Sequence, residues 1–238
     1  MWIPTGTVSD MTSWNMHPRA AFDLETTGKD PRTARIVTAS IVVVDEGGTV
    51  VDTHEWLADP GIEIPEEAAA IHGISTEHAR ENGRPSDMVT AEVGAVLATL
   101  FANNIPVIAF NASYDFTVLA HEARRHSLNQ IIAAPVIDPF ICNKNVDRFR
   151  KGSRTLVALC EEYGINLKDA HTSAADAEAT LRLADALAAK YSALRIDVMD
   201  LHNAQVGWAR DQAADFQAYL RRVKDPAAVI EGDWPVLP

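Results

Sequence analysis

The chain has 238 residues and sets 21 Lys and Arg against 33 Asp and Glu, a formal charge of −12 at pH 7. With 47% hydrophobic and 23% charged residues it has the make-up of a folded soluble globule, not of a disordered chain. The acidic balance excludes a protein that coats nucleic acid by bulk electrostatics, but not an enzyme that holds phosphates through cations and a local basic patch. At roughly 150 residues per domain, the length fits one large domain or one plus an extension. The two cysteines, Cys142 and Cys160, are too few for a disulfide framework or a Cys-based zinc site and fit a reducing cytoplasm. The longest β-branched run, Ile41 to Val44, is far short of a membrane span, and the N-terminus has neither the basic nor the apolar region of a secretory signal. No membrane partner is expected.

Residues 1–18 carry Pro4, Gly6 and Pro18 without periodicity and read as a flexible arm. Ala20 to Thr27 reads as a strand ending at Gly28, followed by a long β-branched strand from Ala34 to Asp45. Gly47-Gly48 marks a hairpin tip, and Thr49 to Leu57 returns as a third strand, so the first three form an antiparallel meander. Short helices start at Pro65 and Ser75. Asp87 caps a longer one from Met88 to Ala102, with Val89, Val93, Val96, Leu97 and Leu100 on one face. Ile105 to Phe110 is a buried strand, and Asn111 or Ser113 caps a helix from Tyr114 to Arg125. Pro135 to Asp138 is a short strand, and Thr155 to Tyr163 a helix stopped by Gly164. Long helices run from Ser173 to about Ala193 and from Val198 to Val223. The order predicts an α/β fold: a mixed five-stranded sheet, with a three-strand antiparallel meander and two parallel strands, flanked by helices. The implied division is an arm over 1–18, a domain over 19–195 and a helical extension over 196–238. Trp208 and Phe216 of that extension are expected to pack back on the domain.

Strand side chains alternate, so Asp23 and Glu25 project from one face. Two carboxylates held so close repel each other and are costly to desolvate, and a cation between them resolves both. Carboxylate oxygens suit Mg²⁺ or Mn²⁺. The plainer alternative is a solvated strand end. Asp115, in Asn111-Ala112-Ser113-Tyr114-Asp115-Phe116, falls in the first turn of a helix, where an acid also simply complements the helix dipole. Ser173 and Asp176 have the spacing of a capping box, and His171 just before them reads equally as a surface histidine.

Together these residues resemble the DEDDh, or DnaQ-like, 3′–5′ exonuclease family, in the style of bacterial proofreading subunits. Asp23 to Gly28, Asn111 to Phe116 and His171 to Asp176 match the three motifs in order, and Ile71-His72-Gly73-Ile74 matches the signature that follows the third strand. The match covers about residues 20–190, and all five catalytic positions are present. The resemblance implies a ribonuclease H-like fold and a site with two Mg²⁺ or Mn²⁺ ions. In that scheme Asp23 bridges both ions, Glu25 and Asp176 complete one shell, Asp115 supports the other, and His171 is the general base. It also implies that Thr26, Thr27 and Gly28 grip the terminal sugar, against the alternative that the threonines merely favour a strand. His72 lines that pocket or sits in the core; Asn111 and Phe116 are carried along with their motif. Arg150 and Arg154 belong to a basic run (Lys144, Arg148, Arg150, Lys151, Arg154, with Phe149) that either contacts the substrate backbone or is a solvated loop.

The expected activity is hydrolysis of the terminal phosphodiester of a nucleic acid, DNA favoured, from a single-stranded 3′ end. The alternatives are an exoribonuclease trimming RNA and a non-catalytic exonuclease-like module that binds a polymerase. A polymerase or a second copy of the chain is the protein partner to expect. A haloacid-dehalogenase-type phosphatase fits less well, because position 25 is Glu and Asp115 and Asp176 would go unused.

Overall fold

A computed structural model describes residues 13–167 and 172–238. Three long strands come first: β1 (Arg19–Thr26), β2 (Ile36–Val44) and β3 (Val50–Asp59), paired as the expected antiparallel meander. Gly48 closes the β2–β3 hairpin with φ +80°. Next come α1 (Glu66–His72), α2 (Thr76–Asn82), β4 (Arg84–Pro85), α3 (Ser86–Ala102), β5 (Val107–Ile108), α4 (Ser113–Arg125) and β6 (Val136–Ile137). The chain continues through α5 (Pro139–Val146), α6 (Leu156–Glu162), α7 (Ser173–Lys190) and α8 (Val198–Val223).

The sheet order is β4-β3-β2-β1-β5-β6, so β1 lies inside the sheet, with β5 parallel to it and β6 parallel to β5. The sheet has six strands, not five. The addition, β4, pairs parallel with the end of β3 at Ala58↔Arg84 and Asp59↔Pro85. Two residues ending in proline carry no readable period, which hid it in the sequence. Gly83 permits the pairing: a Cβ there would lie 2.3 Å from the Ala79 carbonyl oxygen and 2.6 Å from the Asp59 nitrogen. Both neighbours are backbone and cannot swing aside. Gly83→Ala is therefore expected to cost about 1–3 kcal/mol, read as a lower urea midpoint. The helix α5 also went unpredicted, being short and only weakly two-faced. Its signals are a cap from Asp138, whose side chain accepts the Phe140 N–H, and Pro139 at the first helical position.

Alternation along β1 divides the interior. Ala20, Phe22 and Leu24 join a core with Phe101 and Phe116, on the side of α3 and α4. Ala21 joins a second core with Leu181, Leu183 and Leu187 of α7. By the same period Asp23 and Glu25 share Ala21's face, toward α7.

The N-terminal arm falls within the described residues only from Ser13, and there it is anchored rather than loose. Trp14 is 2% exposed, and its indole N–H donates to the Leu194 carbonyl (2.9 Å). The helix α8 closes the β6 edge with side chains. His202 Nδ1 accepts the Val136 N–H (3.1 Å), and Gln205 accepts the Asp138 N–H (2.7 Å) while donating to the Val136 carbonyl (3.1 Å). Trp208 packs against both cores as expected. Phe216 does not: it is half exposed and stacks on the equally exposed Tyr219. The buried residues of α8 end at Gln205; further along, the C-terminal segment lies against it, with Gln217 accepting the Ile230 N–H (2.9 Å) and Arg221 donating to the Ala228 carbonyl (2.7 Å). Among the described residues no helix is long and apolar enough to cross a membrane.

Candidate active site

Asp23, Glu25 and Asp176 converge. One carboxylate oxygen from each lies within 4.8 Å of the others. The period of β1 presents the first two, and the first turn of α7 presents the third. A hydroxyl pair docks that turn: Ser173 Oγ meets Ser40 Oγ at 2.9 Å, and Ser40 is the β2 partner of Asp23. Ser173 therefore faces the sheet, in place of the capping role its spacing suggested.

Asp115 approaches from the other side. It is 4% exposed, in the first turn of α4, and its Oδ1 accepts the Leu24 N–H (3.1 Å) between Asp23 and Glu25. Its oxygens lie outside the 4.8 Å set. Its charge nonetheless acts on Asp23: burial first, then Asp115, Asp176 and Glu25, raise the Asp23 pKa well above the usual carboxylate range. Burial, followed by Asp176, pushes Glu25 up to about 7. Burial likewise raises Asp115, against the lowering effect of the Leu24 N–H. Asp23 Oδ2 is buried without a hydrogen-bond partner among the described residues. Crowded acids of raised pKa around an orphaned oxygen form a donor set for a hard divalent cation, whose charge would offset the repulsion.

Beside the acids lies a cleft of about 530 Å³ lined by Leu24, Thr26, Gly28, Ile71, His72 and Tyr114, within the size range of small-molecule sites. The β1–β2 register shifts between Glu25 and Thr26, where the strand reaches the residues that line the cleft. Thr26 Oγ1, the Tyr114 hydroxyl and the Gly28 carbonyl oxygen lie in mutual contact (Thr26 Oγ1 to Gly28 O 3.0 Å), the two hydroxyl protons being shared among the three oxygens. Thr27 Oγ1 accepts the Arg35 N–H (3.0 Å). A Cβ on Gly28 would meet nothing within 4 Å, so the space beside it is open. His72 Nδ1 accepts the Ile74 N–H (3.2 Å), and burial lowers its pKa against the raising effect of the Thr26 backbone.

The exonuclease family model matches residues 20–184. The chain belongs to the exonuclease family. The DNA polymerase III PolC-type of Pediococcus pentosaceus is 26% identical over 178 residues, covering 75% of this chain and 12% of that protein. A DNA polymerase III subunit epsilon-like protein of Rhodobacter capsulatus is 33% identical over 177 residues, covering 71% of this chain and 24% of that one. The exonuclease chain thus spans a small part of the curated relatives it matches. Among solved structures, E. coli exonuclease I in complex with a dA16 oligonucleotide superposes with a TM-score of 0.64 at 18% identity. The match covers 75% of this chain and 42% of that one, and shows that the two share a fold.

The remaining residues singled out in the exonuclease sequence are scattered. His171 lies outside the described residues; Thr172, beside it, lines a second cleft with Glu25 and His72. Phe116 is not at the site: it is 1% exposed, packed on Phe22 (5.4 Å between ring centres) and Phe101. Asn111 has an exposed side chain and a left-handed backbone, φ +57°. Arg150 pairs with Glu162 (2.8 Å). Arg154 donates to the Asn143 side chain and the Asp147 carbonyl (2.6 Å), so both guanidiniums hold the 147–154 loop against its neighbours. Phe149, at 93% exposure, projects fully from that loop. Tyr114 stands inside the second motif without a marked role, and nothing local in the sequence marks Ser40 as the partner of Ser173.

Proposed function

We propose that the chain is a metal-dependent 3′–5′ exonuclease that releases nucleoside 5′-monophosphates from a single-stranded 3′ end, with DNA favoured over RNA. The observation that carries this reading is the convergence of Asp23, Glu25 and Asp176, with Asp23 Oδ2 lacking a hydrogen-bond partner among the described residues. The polymerase names of the relatives and the oligonucleotide in the E. coli complex support the substrate class.

Asp23, Glu25, Asp115 and Asp176 would hold two divalent cations, Mg²⁺ or Mn²⁺. Once bound, such ions acidify water and offset charge on the phosphate and on the departing 3′ oxygen. The chain's own groups do the rest. The Thr26–Gly28 turn, with Tyr114 and His72, receives the terminal nucleoside in the cleft beside Glu25 and so restricts cleavage to a chain end. His171 accepts the proton of the water that attacks the terminal phosphorus as the P–O3′ bond breaks. The exposed Phe149 stacks on a base further along the strand, with the basic loop beside the backbone. A polymerase is the protein partner that the relatives' names suggest, and a second copy of the chain is the alternative.

The test is a degradation ladder on matched DNA and RNA oligonucleotides with free or blocked 3′ ends. The expected outcome is stepwise shortening of free-ended DNA with Mg²⁺ or Mn²⁺, and none with chelator or a blocked 3′ end. Faster loss of RNA would favour the exoribonuclease alternative. Binding without cleavage at any metal concentration would favour the non-catalytic module.

A further inference from the structure

The catalytic-site acid Asp115 is held at both ends of a chain of contacts, and the far end of that chain is an acid with no place in the chemistry above. Asp138, just after β6, is 1% exposed. Its Oδ1 accepts the N–H groups of Asn111 (3.0 Å) and Phe140 (2.9 Å), and its Oδ2 accepts that of Ala112 (2.9 Å). Its own N–H donates to Gln205 of α8 (2.7 Å). Asn111 and Ala112 form the turn that starts α4, and Asp115 follows three residues after Ala112. Asn111 at φ +57° occupies a region that Asn tolerates better than most residues but that still has to be held. The Ala112 carbonyl then accepts the Phe116 N–H (3.1 Å), so the first turn of α4 grows from a fixed base. At the other end Asp115 is tied to the Leu24 N–H on β1.

We propose that Asp138, braced by Gln205, is a positioning residue that sets where the Asp115 carboxylate stands relative to Asp23. Asp138 grips the 111–112 turn with two hydrogen bonds, the turn sets the start of α4, and α4 delivers Asp115. The buried first half of α8 is by this route part of the active-site framework. The proposal rests on the exonuclease reading for its kinetic arm only.

Asp138→Asn is the discriminating variant. Asn keeps one oxygen for the Asn111 and Phe140 N–H groups and sets an N–H₂ against the Ala112 N–H. The cap of α5 survives, since Asn caps as well as Asp, while of the two bonds that grip the turn the one to the Ala112 N–H is lost and replaced by donor facing donor. The expected result, in protein shown by circular dichroism to be folded, is an about 10- to 100-fold fall in kcat with KM unchanged. Calorimetry should show an about tenfold weaker Mn²⁺ affinity, the usual span for groups that orient metal ligands. Wild-type kcat and Mn²⁺ affinity in folded Asp138→Asn would overturn the proposal and leave Asp138 as the cap of α5. If that variant fails to fold, Gln205→Met decides: lowered kcat at unchanged KM supports the relay, and unchanged kcat overturns it. Should the wild type cleave no oligonucleotide, the exonuclease reading fails, while the Mn²⁺ arm still decides for or against Asp138.

Discussion

Asp23→Asn is expected to abolish nucleotide release, with at least a 10³-fold loss, while making the metal-free protein more stable. Both effects come from the same geometry. Asp23 is buried among Asp115, Asp176 and Glu25, all of which oppose its ionisation. A neutral amide of the same shape removes that repulsion and also the central donor of the cation site. The stability gain has a defined pH course. Because the folded pKa of Asp23 is raised, ionisation above it penalises the folded state, whereas below the unfolded pKa the group is neutral in both states and no penalty exists. With chelator present, the variant should therefore melt above the wild type at neutral pH, and the gap should close as pH falls through the folded pKa toward the ordinary carboxylate value. Equal melting temperatures at neutral pH would mean that the acids are not strained, and near-normal turnover would remove Asp23 from the chemistry. This is the stability that a functional site gives up when like charges are gathered for a cation.

His171→Ala is expected to slow hydrolysis by about 10²–10⁴-fold, the span of general-base contributions, without weakening Mn²⁺ binding in calorimetry. An imidazole titrates near 6.5, so the wild-type rate should climb from acidic to mildly alkaline buffer as the base loses its proton. The variant should lose that limb of the profile. A variant that no longer bound Mn²⁺ would make His171 a ligand, and one with an unchanged pH profile would place the base elsewhere. Comparison with Asp23→Asn separates the roles: one loses metal and rate together, the other rate alone.

The legible parts of the molecule were those with a period. Long strands alternate, so Asp23 and Glu25 could be placed on one face from spacing alone, and the 26-residue α8 is bounded where its periodicity starts and stops, at Val198 and Val223. What escaped was short or depended on neighbours distant in the chain. The two-residue β4 exists because Gly83 lets the backbones approach. Phe116 travelled with Asp115 in the motif, but successive helix residues point about 100° apart, so one faces the acids and the other the aromatic core. Arg150 and Arg154 read as free cations in a basic run, yet their partners, Glu162, Asn143 and Asp147, are set by the fold of that loop. The role of Ser40 is visible only once β2 and α7 are side by side.

The two margins of the sheet differ in how they are finished. On one side β4 covers only the last two residues of β3, Ala58 and Asp59, and ends in proline, which offers no donor to an incoming strand. At β6, the backbone groups of Val136 that would otherwise invite an extra strand are engaged by the His202 and Gln205 side chains. Shortening the protein before α8 would leave the Val136 N–H and carbonyl without their side-chain partners, so preparations cut at this point should be less stable.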